Sequence, residues 1–330
     1  MSSPAPGPRS VLVVGDAFAD LSARVRRFPG EGGDAHARRI VWSSGGSAAN
    51  VAAALASLGT PVRLLARVGA DAAAAVALRA ARRAGADLSL VQEDPDEPTG
   101  LCFVVVSAGG ERTFFSARGA NENLDPPEDA ASLLEGAAAL HLSGYALLGG
   151  SRAAALEVAR AAGRRGLPVS LDLCIPLVEV RRQETLDLLP LFSAVFGNEP
   201  ELSLLAGAGA EAAARALADR GVAVAVAKTG ETGCVVASAE GVRRVPAFAV
   251  EAVDTTGCGD AFVAGFLHAL LRGAPPAPCA ALGNALGALA ATAPGSGDAL
   301  AGVGAIRAFL AARAPELLSL LPPAAVEVST

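Results

Sequence analysis

The chain alternates short apolar runs with alanine-rich helical segments, and this alternation constrains its fold more than any other feature. Val11 to Gly15, Val62 to Arg67, Ala138 to Leu142, Val169 to Leu173, Ala194 to Gly197 and Val222 to Ala227 read as buried strands. Helical patterns lie between them at Ser47 to Leu58, Ala72 to Ala84 and Arg152 to Gly163, then in a stretch through Leu189 and a short helix from Glu199. Near-continuous apolar strands separated by helices indicate a parallel sheet covered on both faces. Val235 to Val245 reads as an added antiparallel pair, and two long helices follow, about Gly257 to Leu271 and Pro278 to Ala291. The expected class is α/β, with three αβα layers around a mostly parallel sheet.

Two stretches break the rhythm. Phe18 to Trp42 is polar and poor in helix signals, and Leu101 to Ala117 holds two strand-like runs around Gly109-Gly110, a hairpin signal. Both are expected to leave the main sheet and pair as a small β lid. No repeat or linker divides the chain. It therefore reads as one domain over residues 10–315, with lid segments at about 18–42 and 101–117, a Pro-rich leader at 1–9 and a tail at 316–330.

Composition removes several functions. The chain is 52% hydrophobic but only 4% aromatic, and alanine supplies much of the apolar content. Runs such as Ala261 to Leu271 fall well short of the roughly 20 residues a membrane span needs. The opening MSSPAPGPR lacks the apolar core of a signal peptide. A net charge of -6 argues against nucleic-acid or anionic-membrane partners. Lys228 is the only lysine and follows Ala227, which excludes a Walker A loop. Cys102, Cys174, Cys234, Cys258 and Cys279 form no C-x-x-C pair, and the three histidines form no H-E-x-x-H. That pattern suits a reduced compartment, so the cytoplasm is the expected location. The first strand runs into GDAFAD without G-x-G-x-x-G, which argues against a dinucleotide-dependent oxidoreductase.

Two glycine turns carry the chemistry. In VDTTGCGDAF, Gly257-Cys258-Gly259-Asp260 sits where an irregular loop enters an apolar helix. The first amides of a helix point beyond its N-terminus and favour negative charge there. Asp260 either caps the helix or stands beside a bound phosphoryl group and deprotonates its attacking hydroxyl. In the second turn, Gly45-Gly46-Ser47-Ala48-Ala49-Asn50 opens another helix. Asn50 is either solvated on a first turn or hydrogen-bonded to a polyhydroxy ligand that the glycines let approach.

Together these segments resemble the two signatures of the PfkB carbohydrate kinases, the ribokinase-like sugar and nucleoside kinases. The first is similar to that family's G-G-x-x-x-N element with its A-x-x-L-x-x-L-G helix. The second matches D-T-T-G-A-G-D-A-F at every position except Cys258. The resemblance runs from Val11 to about Leu310. It implies a ribokinase-like fold and an ATP- and Mg²⁺-dependent kinase acting on a primary hydroxyl of a sugar or sugar-like small molecule. Asp260 would be the base, and the amides of Gly257, Cys258 and Gly259 the anion hole. Asp16, Asp20, Gly45, Gly46 and Asn50 would bind the substrate. Asn198 and Glu201 match the N-x-x-E element that holds Mg²⁺ through water, which suits an ion that usually keeps several waters. Lys228, Thr229, Gly230 and Asn284 would line the nucleotide. Asp254 and the Thr256 carbonyl match positions that hold a monovalent cation, K⁺, in some members.

The sequence departs from the pattern in places. Phe18 stands where ribokinases usually carry Asn. Asp172 follows the strand before Leu173-Cys174, but the Asn and Arg of a D-x-N-x-R element are absent, which weakens a sugar-acid substrate. Phe18 and Tyr145, the only tyrosine, would offer an apolar wall suited to a nucleoside base or a less polar sugar, or pack the lid. Arg118, just after the lid hairpin, would reach a substrate or pair at the surface. A nucleoside kinase is therefore the alternative. A catalytically weak sugar-binding regulator is a second, against which the intact GCGD and N-x-x-E elements argue. Exposed lid strands suggest a homodimer.

Overall fold

The computed structural model describes residues 10–109, 112–207, 209–295 and 297–323. The expected leader, Gly110 of the hairpin and the end of the tail lie outside them. Strand β1 (Ser10–Val14) leads into β2 (Phe18–Arg24) and β3 (Ile40–Gly45), then helix α1 (Ser47–Ser57) and β4 (Val62–Leu65). Next come β5 (Arg67–Gly69), α2 (Ala72–Ala77), α3 (Arg79–Ala84) and β6 (Gln92–Asp94). The hairpin β7 (Gly100–Val106) and β8 (Arg112–Ala117) precedes α4 (Ala130–Leu133), β9 (Ala137–Ser143), α5 (Ser151–Arg164), β10 (Val169–Asp172) and α6 (Ile175–Leu188). Then follow β11 (Ala194–Asn198), α7 (Glu199–Ala206), α8 (Ala210–Asp219), β12 (Val224–Lys228), β13 (Cys234–Ser238) and β14 (Gly241–Val245). Helices α9 (Cys258–Leu270), α10 (Pro276–Ala291) and α11 (Val303–Arg313) complete the chain.

The main sheet has eight strands in the order β14-β13-β12-β11-β10-β9-β1-β4. All pairs from β4 to β12 are parallel, and β13 and β14 add an antiparallel edge. Alternate residues of each strand face opposite layers, as the two-residue period requires. Val11, Val13, Phe196 and Val226 pack against α1, α9 and α10. Leu12, Val14, Val195 and Ala225 pack against α5, α6 and α8. Phe196 meets Phe266 edge-on, with ring centroids 5.0 Å apart. Leu317 and Leu321 are also buried in this core, so the packed chain continues past Arg313.

The small sheet is separate and runs β3-β2-β7-β8. β2 pairs antiparallel with β3 and parallel with β7, which brings the two irregular stretches together as expected.

Two expected elements are divided. The run from Val62 to Arg67 ends at Leu65, because Arg67 turns away to pair with Asp94 at 2.9 Å and β5 joins β6 instead. The helix from Ala72 to Ala84 breaks at Leu78. The Ser44 hydroxyl inserts into its ladder, donating to Val76 O at 2.8 Å and accepting from Ala80 N at 3.1 Å.

Candidate functional site

The C-terminal ends of β1, β9, β10, β11 and β12 lie along one edge of the sheet, where open α/β sheets place their ligands. Asp16, just after β1, accepts from Ser143 Oγ at 2.9 Å and from the Ser47 and Ala48 amides at 3.3 and 3.4 Å. Its carboxylate therefore pins the start of α1. Gly46 caps that helix at φ +92°, and a Cβ there would stand 2.7 Å from Ala17 Cα and Asp16 O. Only glycine fits. A Cβ at Gly45 would overlap the Asp20 carboxylate, so that turn lies directly against the acid on β2.

Asp260 lies in the first turn of α9, behind Gly257, which adopts the left-handed conformation at φ +78°. Its Oδ1 accepts from Ser47 Oγ and its Oδ2 from Asn50 Nδ2, both at 2.8 Å. Two distant glycine turns thus meet at one carboxyl group. Burial pushes Asp260 up to about 7, and Asp172 adds to the rise. The Asn50 and Ser47 hydrogen bonds and the charge of Lys228 oppose it. A carboxyl tuned to this range suits proton transfer near neutrality.

Behind the glycine turn, Lys228 Nζ donates to both Asp172 oxygens, at 2.7 and 3.0 Å. Asn198 and Glu201 form a reciprocal capping box on α7: Glu201 N donates to Asn198 Oδ1 and Asn198 N to Glu201 Oε2, each at 2.8 Å. Burial raises the Glu201 carboxyl, against the pull of Lys228.

The remaining expected residues lie further out. Thr229 Oγ1 accepts from Thr232 Oγ1 at 2.8 Å in a turn where Gly230 has φ +62°. Asn284 is buried and donates to Val245 O and Pro246 O at 3.1 and 3.0 Å, so its amide ties down the segment after β14. Asp254 accepts from Thr256 N at 2.8 Å and Gly295 N at 3.1 Å, joining two loops. Arg118 lies over the Tyr145 ring, 5.6 Å from its centroid, and donates to Tyr145 O at 3.0 Å.

Ser47 was missed in the sequence, although Ser47 and Asn50 stand three apart on one face of α1. The Lys228–Asp172 pair was also missed, because 56 residues separate its members. Among the described residues, no group of three or more His, Cys, Asp or Glu side chains forms a direct metal cage. Without such a cage, a divalent cation beside Asn198 and Glu201 would have to keep much of its water.

A separate sheet over the C-terminal edge of a mostly parallel sheet defines a ribokinase-like α/β protein. Arabidopsis thaliana ribokinase complexed with ribose and ATP has this fold, with a TM-score of 0.81 and 27% identity over 92% of this chain and 99% of its own. Residues 8–301 match the pfkB family carbohydrate kinase description, and the chain belongs to that family. An ATP-dependent ribose-1-phosphate kinase of Halopiger xanaduensis is 35% identical over 303 residues, covering 92% of this chain and 98% of the relative. A fructokinase of Klebsiella pneumoniae is 32% identical, covering 88% of this chain and 95% of its own. The protein is thus a kinase of the ribokinase family acting on a sugar or nucleoside. No helix among the described residues is long and apolar enough to cross a membrane.

Proposed function

We propose that this chain transfers the γ-phosphoryl group of ATP to a primary hydroxyl of a sugar bound beneath the small sheet. The observation that carries this is Asp260, half-buried at a glycine-turn helix start and held by Ser47 and Asn50 at 2.8 Å. Asp260 takes the proton from the sugar hydroxyl. The oxygen attacks the γ-phosphorus, the bond to the bridging oxygen breaks, and ADP leaves. The amides of Gly257, Cys258 and Gly259 face the charge that spreads over the transferring group. Asp20, Gly45, Gly46 and Asn50 hold the sugar, and Asp16 keeps their turn in place.

Asn198 and Glu201 would hold Mg²⁺ through water, and the ion supplies charge neutralisation on the phosphates. Thr229 and Gly230 line the nucleotide, and Asn284 fixes the segment beside it. Asp254 and the Thr256 carbonyl would hold a monovalent cation, a role tested by comparing activity in KCl with activity in tetramethylammonium chloride. The five cysteines are free thiols.

The Halopiger relative acts on ribose-1-phosphate, so a phosphorylated pentose belongs in the substrate panel beside ribose, deoxyribose and fructose. Phe18 and Tyr145 favour a second reading, a nucleoside kinase, which adenosine and pseudouridine in the same ADP-release assay separate from the first. Asp260→Asn should lower kcat by roughly 10²–10⁴ with ATP binding retained. Activity within about tenfold of the wild type removes the assignment of the base.

A further inference from the structure

The single lysine of the chain has a setting that nucleotide lining does not explain. Lys228 ends β12, and its ammonium does not project to the rim. It turns inward to Asp172, with the two side chains only 16% and 7% exposed. A Cβ on Gly259 would stand 3.2 Å from Nζ, so the ammonium occupies the space directly behind the glycine turn. Burial disfavours the charged lysine, but Asp172, then Glu201 and Asp260, outweigh it and keep the group charged.

Stability alone does not require this pair. Well-packed apolar residues of similar volume serve a fold as well as a buried ion pair, or better. Its position is what distinguishes it. One ammonium serves three carboxylates on three elements: Asp172 at the end of β10, Glu201 on α7 and Asp260 on α9.

We propose that Lys228, fixed by Asp172 behind Gly259, is a positioning residue for phosphoryl transfer: its charge, held against the glycine turn, raises the positive potential at the anion hole and at the base. This rests on the reading of Asp260 as the base. Asp172 works in the opposite sense at Asp260 and acts on it more strongly than Lys228 does, so without the lysine its negative charge would stand unopposed beside the base. Asp16 is a further acid at this edge, and its oxygens accept from Ser143, Ser47 and Ala48; Asp20 lies against the Gly45 turn. Tyr145 and Cys174 face the same carboxylates and stay protonated, both raised by burial. His141, in β9, is kept neutral by burial and by Lys228.

The test is the acidic limb of kcat/KM against pH, measured with ATP and the best sugar of the panel, for wild type, K228M, D172N, K228R and D260N. K228M should move the limb to higher pH, by less than D172N moves it the other way, and lower kcat about 10- to 100-fold, with KM for ATP within about threefold. D172N removes the opposing charge and should move the limb to lower pH. K228R should restore it toward the wild-type position. D172N carries the test alone if K228M does not fold. Limbs that stay in place, or that move together in one direction, overturn the proposal, as does a K228M defect confined to KM for ATP. An active D260N removes the base itself and is distinguishable, because an inactive D260N with unmoved limbs leaves the base intact and sinks only the role of Lys228.

Discussion

A carboxyl group raised to about 7 titrates where ordinary aspartates are fully ionised. Asp260 owes this to burial first, and the same shift has a consequence for stability. Its folded value lies above the ordinary 3.8, so folding favours the protonated form. The stability this contributes is complete below about pH 4 and is lost as pH rises through about 7. Asp260→Asn removes the titration; its one amide oxygen can still accept from Asn50, and its amide nitrogen can donate to the Ser47 hydroxyl. The variant should therefore match the wild type near pH 4 and exceed it at pH 8, by on the order of 1–3 kcal/mol. Thermal denaturation across that range checks the trend, and a difference independent of pH contradicts it. A group whose removal stabilises the fold while abolishing turnover is one kept for chemistry.

Among the elements, α9 and α10 pack in close contact. Glycines make it possible: a Cβ on Gly283 would stand 2.8 Å from Phe262 O and 2.9 Å from its ring, and one on Gly265 would stand 3.0 Å from Leu282 O. Because Asp260 opens α9, this packing also sets the depth of the base. Gly283→Ala should lower stability by roughly 1–3 kcal/mol, read as a lower urea midpoint at unchanged slope. A midpoint equal to wild type would mean that the helices part without strain. Element positions were largely legible, because apolar runs and glycine stops follow the periods of strand and helix. The break at Leu78 was not, since it depends on a hydroxyl from Ser44, more than thirty residues away.

At the scale of the molecule, the small sheet leaves apolar side chains uncovered. Ile40 is 56% exposed, Trp42 45% and Phe114 53%. Unpaired, apolar strands of this kind invite association. The proposed partner is a second copy joined through the lid. Ile40 and Trp42 stand two apart on β3 and share a face, so the double variant I40E/W42E should convert a dimer to a monomer. Light scattering reads this directly, and a wild-type mass of one chain at every concentration rules the pairing out.

The sequence by itself determined the layer order, the main sheet, the pairing of the lid segments and the two glycine turns. Each of these is written in local periodicity or in residues that only a particular backbone shape accepts. Gly46 at φ +92° and Gly257 at φ +78° are cases in point. The tertiary structure decided the meeting of Ser47, Asn50 and Asp260, the turn of Lys228 onto Asp172, and the value to which Asp260 is raised. These depend on which strand ends become neighbours and how much water burial excludes. Hydrogen bonds between residues more than 200 positions apart leave no local pattern, and a pKa belongs to an environment that exists only once the sheet and helices have packed.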